Sequence, residues 1–443
     1  MASNRVHCGA WQSSLPAWVE RLQPGGCAVV NEGLIYDWNS NGDQPKPERI
    51  ILLDETLRDG LQSPSVRAPT IDQKLRILHL LDRIGIDTAD IGLPGAGAHV
   101  VRDVERLATE ILECRLKVQA NCAARTLTAD IQPIADIVQR TGLPIECCCF
   151  IGSSPIRRYA EDWTVDYLQR CTEDAVGFAV RQGLTVMYVT EDTTRSDPDT
   201  LRRLFSTAIR AGASRICIAD TVGHATPDGA RAVVRFVKSI VEEHGGGVGI
   251  DWHGHRDRDM GTINSIAAIE AGATRVHGTM LGLGERVGNT PMDLLMVNLV
   301  LMGWIDRDLT HLDDLVHTVS EATGEPIPDN YPVFGRDAFR TATGVHAAAV
   351  VKAFHKQDSE LADTVYSGVP ARLVGRSQQI EIGPMSGKSN VVFWLERRGL
   401  PADDEMVERI FRRAKASTTV LTEQEILREI EAARAFATTR LDA

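Results

Sequence analysis

From Arg49 onward, short apolar runs alternate with longer amphipathic segments, and the pair recurs about every 30 to 35 residues, the rhythm of strand–helix units. The apolar, β-branched runs predict strands at Ile50–Leu53, Thr88–Ile91, Leu116–Gln119, Ile145–Phe150, Thr185–Val189, Arg215–Ile218, Val248–Trp252 and Thr274–Val276. Apolar residues at helical spacing predict helices at Asp72–Ile84, Val100–Leu112, Ala129–Gln139, Val165–Gln182, Pro198–Ala211, Pro227–His244 and Gly261–Ala271, with Met292–Met302 closing the series. Asp197 and Thr226 each stand directly before a proline, the order of an N-cap followed by N1. RIGIDTADIG, RAGASRICIAD and EAGATRVHG place a glycine at a helix end just before the next strand. Strands that are apolar on both faces need cover on both sides, which a parallel sheet under helices supplies. Eight such units over roughly 255 residues predict a (β/α)8 barrel. A doubly wound open sheet would call for a glycine-rich phosphate turn after its first strand, and RIILLDETLRDG contains none.

The rhythm divides the chain into an arm at 1–48, a barrel at 49–305 and a linker with helical subdomains at 306–443. The arm carries Trp11, Trp18 and Trp38, which suits a segment that packs on the barrel or on a partner subunit. Its start lacks the basic and apolar stretches of a signal peptide. With 43% apolar and 24% charged residues, the 443-residue chain has the composition of a soluble globular protein. A net charge of −12 without a basic run argues against nucleic acid, and no run approaches the roughly 18 apolar residues of a membrane span. Nine scattered cysteines do not form a disulfide framework, and consecutive Cys147, Cys148 and Cys149 face alternate sides of a strand, so they read as small buried hydrophobes. A reducing cytoplasm is the expected location.

Barrel enzymes carry their chemistry at the C-terminal ends of the strands. In this chain all eight predicted ends are polar. They include Arg58, Asp59 and Gln62 after the first; Asp90 after the second; Arg125 after the third; and Ser154, Arg157 and Arg158 after the fourth. Glu191 follows the fifth, Thr221 the sixth, His253 and His255 the seventh, and Glu285 and Asn289 the eighth. His253 and His255 stand two apart on a strand and so face one side, with Gly254 clearing room between them, a spacing that suits a shared metal ion. Asp59 would add an oxygen ligand and Asn289 an amide oxygen. Two nitrogens, two oxygens and no thiolate point to an open catalytic site for Mg²⁺, Mn²⁺ or Zn²⁺. GLGERVGN has the wrong glycine spacing for a dinucleotide loop and follows the eighth strand, so nicotinamide and flavin are not expected.

DETLRDGLQSP resembles the DxTLRDGxQ signature of the metal-dependent synthase and lyase barrels that include 2-isopropylmalate, citramalate and homocitrate synthases. TEDTTRSD, IADTVGHATP, WHGHRD and GLGERVGN resemble four further segments of that family, in the same order. FRTATGVHAAAVVKA and VGRSQQIEIGPMSGKSNV are similar to segments of the synthases beyond the barrel. The resemblance implies that Asp59, His253 and His255 hold the metal, with Asn289 as the supporting fourth. It implies that Arg58 steadies an oxyanion, that Thr221 takes the carboxylate of a 2-oxo acid and that Glu191 lies in the substrate site. Gln62, Asp90, Arg125, Ser154 and Arg157 are expected around the substrate. His346 falls on a histidine that the dimeric synthases extend into the partner's barrel, and Tyr366 on a tyrosine of the same region. The implied reaction is a Claisen condensation of acetyl-CoA with a 2-oxo acid; a hydroxymethylglutaryl-CoA lyase-like or aldolase-like cleavage is the alternative.

Some positions depart from the synthase pattern. Leu61 stands where the synthases usually have Glu, and Arg256 where they have Asn. Met187 replaces an arginine that homocitrate synthases direct at a distal carboxylate, which argues against 2-oxoglutarate. Arg157 and Arg158 keep open an anionic substrate such as a phosphonopyruvate-type acid. The C-terminal region leaves no room for a leucine-sensing domain, so leucine feedback is not expected.

Overall fold

The computed structural model describes residues 47–441 together with Leu34, Ile35 and Trp38–Asn41, with side chains as far as residue 433. The expected N-terminal arm, including Trp11 and Trp18, lies for the most part outside the described residues.

Eight strands close into a parallel barrel: β1 (Ile51–Asp54), β2 (Thr88–Asp90), β3 (Gln119–Arg125), β4 (Ile145–Gly152), β5 (Val186–Glu191), β6 (Arg215–Asp220), β7 (Gly249–Gly254) and β8 (Arg275–Gly278). β1 closes the ring on β8, with Leu53 opposite His277 and Asp54 opposite Gly278. Between the strands run α1 (Ile71–Arg83), α2 (Ala98–Cys114), α3 (Thr128–Thr141), α4 (Pro155–Glu161), α5 (Val165–Arg181), α6 (Pro198–Ala211), α7 (Pro227–Glu243) and α8 (Gly261–Ala271), followed by α9 (Met292–Leu301). The barrel expectation is met, and so are the caps: the Asp197 carboxylate accepts from the Thr200 amide and the Thr226 hydroxyl from the Gly229 amide.

Two elements differ from expectation. β3 begins at Gln119, whereas the expected strand ended there. Its residues, QANCAAR, are mostly small and lack the β-branched signal, whereas Val118 just before it carries that signal and, with the apolar Leu116, packs into the large core. The short α4 was not anticipated; it starts at Pro155, capped by the Ser154 hydroxyl, and is too short to show a helical period.

The strands bury both faces. Cys147 and Cys149 join Ile50, Leu52, Ile250 and Trp252 in the large core between barrel and helices. Cys148 faces inward with Leu53, Met187, Val189, Cys217 and Ala219. Towards the N-terminal ends of the strands the interior is ionic. Arg275 bridges Asp251 and Glu146 at 2.5 and 2.7 Å, Arg215 holds the other oxygen of Asp251 at 2.6 Å, and Asn121 donates to Glu146 at 2.7 Å.

Beyond the barrel, α10 (Leu312–Thr323) packs Leu315, Val316 and Val319 into the barrel's own core. After it come α11 (Gly344–His355), α12 (Ser359–Thr364), α13 (Lys388–Glu396), α14 (Asp404–Lys415) and α15 (Glu423–Leu441), with a two-strand ladder of β9 (Arg340–Thr341) and β10 (Gln379–Ile380). The last three helices build a separate core around Val391, Trp394, Leu395, Val407 and Ile410. Among the described residues no helix is long and apolar enough to cross a membrane.

Phe205 on α6 is fully buried and meets Tyr188 of β5 edge-on, with ring centroids 6.3 Å apart. Replacing it with Ala is expected to cost about 3–5 kcal/mol of stability, read from urea denaturation.

Candidate active site

The turn after β1 carries the first group of polar side chains. Glu55 follows the strand directly, and Arg58 and Asp59 lie on the next turn, all three largely buried. Arg58 donates to three carboxylates: Asp90 at 2.7 Å, Asp59 at 2.7 Å and Glu55 at 3.0 Å. A guanidinium has five N–H groups, so two remain for a ligand. Burial is the largest single influence and would raise Asp59, but Arg58 together with the neighbouring His253 and His255 outweighs it and holds the carboxyl below its ordinary value. Asp90, one carboxylate among several, is pushed up to about 6 by burial in spite of Arg58.

Strand β7 brings His253 and His255 to the same place. Their Nε2 atoms are 3.2 Å apart, and each lies within 3.9 Å of Asp59 Oδ2. With metal–nitrogen bonds of about 2.0–2.1 Å, two imidazoles on one ion stand roughly 2.9–3.4 Å apart, so this separation fits a shared cation. Burial and the neighbouring His253 bring His255 down to about 4, which leaves its ring neutral at pH 7 with a lone pair to offer. Asn289 is tied to His255 by a backbone bridge, and its side-chain amide donates to Asp59. The Asn289 Oδ1 is buried without a partner, as is His255 Nδ1. Turning that amide over would set an oxygen beside Asp59, an arrangement that a cation between them favours. The donor set therefore fits a divalent ion.

Gly254 does not clear room between the histidines. It faces the other side of the strand, where an added Cβ would lie 2.9 Å from the Trp252 indole nitrogen and 3.2 Å from the Thr290 hydroxyl oxygen. Period-two alternation puts residue i+1 on the outer face, so the glycine leaves room for the Trp252 indole and the Thr290 hydroxyl. A tighter constraint falls on Gly288, at φ +99°, whose added Cβ would stand 1.8 Å from the Gly282 carbonyl. Arg256 closes the same turn by donating to the Val287 carbonyl. Its departure from the synthase pattern thus has a structural use: it pins the loop that carries Asn289.

These groups open on a cavity of about 280 Å³ that also takes in Gln62, Glu191, Thr221 and Glu285, with Cys148, Phe150, Val189, Cys217 and Ala219 as its apolar lining. A larger cavity, about 610 Å³, opens at the opposite, N-terminal ends of the strands, away from the face where barrels place their chemistry. Glu191 is raised by burial, with Glu285, Asp192 and Asp59 adding repulsion and Arg157 opposing them. The Thr221 hydroxyl accepts from the Asp192 amide, which leaves its proton directed to another acceptor.

The remaining expected residues do not line the cavity, although Arg157 lies close enough to Glu191 to oppose its rise. Arg125 is largely exposed and grips Asp130 with two nitrogens. Ser154 caps α4, Arg157 pairs with Glu161 over the Trp163 ring, and Arg158 pairs with Asp197. Met187 is buried and its sulfur accepts from Arg275. His346 and Tyr366 stack on each other, ring centroids 4.2 Å apart, outside the residues that line the cavity. Sequence reasoning gave Glu55 and His277 no role, although Glu55 bonds His253 and His277 at 2.7 and 3.2 Å. Inward alternation on β8 and the two-residue step from Arg275 to His277 were the available signals.

An HMGL-like family model matches residues 49–320, more than half of the chain. The chain belongs to the HMGL-like family. The homocitrate synthase AksA of Methanopyrus kandleri is 33% identical over 84% of this chain and 88% of its own. A protein of the same organism named as a candidate (R)-citramalate synthase is 32% identical over 85% of this chain and 70% of its own. In fold, the HMG-CoA lyase from Brucella melitensis covers 63% of this chain and all of its own at a TM-score of 0.53, with 17% identity.

Burial would lower the basicity of His277, but Glu55 and Asp251, one at each ring nitrogen, push it up to about 9. Between about pH 6.5, where a free histidine titrates, and about 9 the folded protein keeps a proton that the unfolded chain has lost. The stability from His277 is therefore whole below pH 6.5 and fades as pH rises through 9. Urea denaturation is expected to show a stability gap between wild type and His277→Gln that narrows over that range.

Proposed function

We propose that this protein condenses acetyl-CoA with a 2-oxo acid, releasing CoA and a 2-substituted malate. The observation that carries the reading is the meeting of Asp59, His253 and His255 beside Arg58 at the C-terminal mouth of a barrel. The relatives named as synthases support it, because their matches extend well past the barrel. Asp59, His253 and His255 would hold a divalent cation, Mg²⁺, Mn²⁺ or Zn²⁺, with Asn289 beside them. Such an ion, when bound, supplies Lewis acidity at the substrate carbonyl.

The chain's own residues do the rest. Arg58 offers its two spare N–H groups to the oxygen that gains negative charge, and Thr221 donates its hydroxyl to the substrate carboxylate. Gln62 and Asp90 complete the surroundings, Asp90 by fixing Arg58. A base takes a methyl proton from acetyl-CoA, the carbanion attacks the 2-oxo carbon, and hydrolysis of the thioester makes the step irreversible. We assign the base to His346, with Glu191 as its acidic neighbour and Tyr366 stacked against it. Both C-terminal residues would come from a second copy of the chain, with region 306–443 of each subunit serving the barrel (49–305) of the other.

The substrate we infer is a neutral 2-oxo acid with a short side chain. The cavity floor is Cys148, Phe150, Val189, Cys217 and Ala219, while Arg125, Arg157 and Arg158 each answer a carboxylate of this chain. A distal carboxylate or phosphonate would have to break one of those pairs.

In a thiol-release assay with Mn²⁺, free CoA is expected only when a 2-oxo acid is present, with short neutral acids turning over at least tenfold faster than 2-oxoglutarate. Silence across the panel, or cleavage of a 3-hydroxyacyl-CoA in the absence of acetyl-CoA, would overturn the reading. His253→Ala should abolish turnover. Mixing inactive Asp59→Asn and His346→Ala proteins and allowing their subunits to exchange should restore activity, because one hybrid site then has every residue; exchanged mixtures that stay inactive would place His346 in the barrel of its own chain, and a His346→Ala protein with full turnover would place it outside the reaction.

A further inference from the structure

The groups behind His253 form a chain of charged hydrogen bonds that the proposed reaction does not use. Glu55 Oε2 accepts from His253 Nδ1 at 2.7 Å, while Oε1 faces Arg58 Nη2 at 3.0 Å and His277 Nδ1 at 3.2 Å. The other nitrogen of His277 lies 3.0 Å from Asp251, which Arg275 and Arg215 hold at the far end. Glu55, His277 and Asp251 are all fully buried, so each has its orientation set by these partners.

An imidazole gives a metal one nitrogen only when the other carries the proton, and a group bonded to that second nitrogen decides which is which. The two candidate histidines differ in this respect. His255 Nδ1 is buried without a partner, so nothing selects its tautomer. His253 Nδ1 faces a carboxylate, which only accepts.

We propose that Glu55 is a positioning residue that holds His253 in its Nδ1–H tautomer, with the Nε2 lone pair facing Asp59 and His255, and that His277 and Asp251 hold Glu55 in turn. This rests on the reading that Asp59, His253 and His255 bind a divalent cation. A plainer role for Glu55 is counter-ion to Arg58, and that role predicts no change at His253 when the carboxylate is replaced.

The isosteric variant Glu55→Gln separates the two. Its amide must turn its oxygen to the donors Arg58 and His277, which leaves its NH₂ pointing at His253 Nδ1. That nitrogen must then accept, and the proton moves to Nε2, where it blocks the metal. Glu55→Ala removes the hold without inverting it and should do less harm.

The experiment is calorimetric titration of Mn²⁺ into full-length wild type, Asp59→Asn, Glu55→Gln and Glu55→Ala, with ¹⁵N-histidine NMR of each metal-free protein and His253→Ala for assignment. Expected are Nδ1–H at His253 in wild type, Nε2–H in Glu55→Gln, and a loss of Mn²⁺ affinity in Glu55→Gln of about 10- to 100-fold. If wild type takes up no Mn²⁺, or Asp59→Asn binds as tightly, the metal reading falls and this inference with it. If both behave as expected but Glu55→Gln keeps the wild-type tautomer, or binds Mn²⁺ within twofold of wild type, the positioning role alone is overturned.

Discussion

The pairing of β1 with β8 is the constraint on which the rest depends. It sets Leu53 beside His277 and Asp54 beside Gly278, and so brings residues 55–59 against side chains some 200 positions away. Only in the closed ring do Glu55 and Asp59 meet His253, His255 and Asn289. Were the ring open between β1 and β8, the same residues would lie at opposite edges of a sheet.

Closure also puts several charges where water is scarce, and the protein answers by pairing each with others. Arg58 has three carboxylates, Asp251 two arginines and a histidine, and Glu55 an arginine and two histidines. Such buried networks are no proof of high stability, since removing the charges from water is costly. Their effect is directional: each side chain is left one orientation that satisfies all its neighbours.

Much of this was legible in the sequence. The order of strands and helices followed from periodicity, and Asp59, His253 and His255 could be placed together because strand ends share one face of a barrel. β3 was misplaced because its small residues give no β-branched signal. Arg125, Ser154 and Arg157 also sit at strand ends, yet turn to Asp130, a helix cap and Glu161, choices that depend on local partners a strand-end rule does not see. Glu55 and His277 were legible as residues but not as a pair, because their meeting depends on the register of closure.

The ionic floor of the barrel also shapes what this scaffold can become. Exchanging Arg275 would take from Glu146 its cationic partner and leave that largely buried carboxylate uncompensated, at a cost of roughly 3–5 kcal/mol. Cys148, Phe150, Val189, Cys217 and Ala219 form no hydrogen-bonded part of that ionic network through their side chains; of the two thiols, Cys217 senses its Asp251 and Arg275 charges, whereas Cys148 senses Asp90 and Arg58. Descendants of this protein can therefore drift at those five positions while the charged residues stay frozen. Divergence in this barrel is channelled into the apolar lining, the surface that a substrate's side chain would meet.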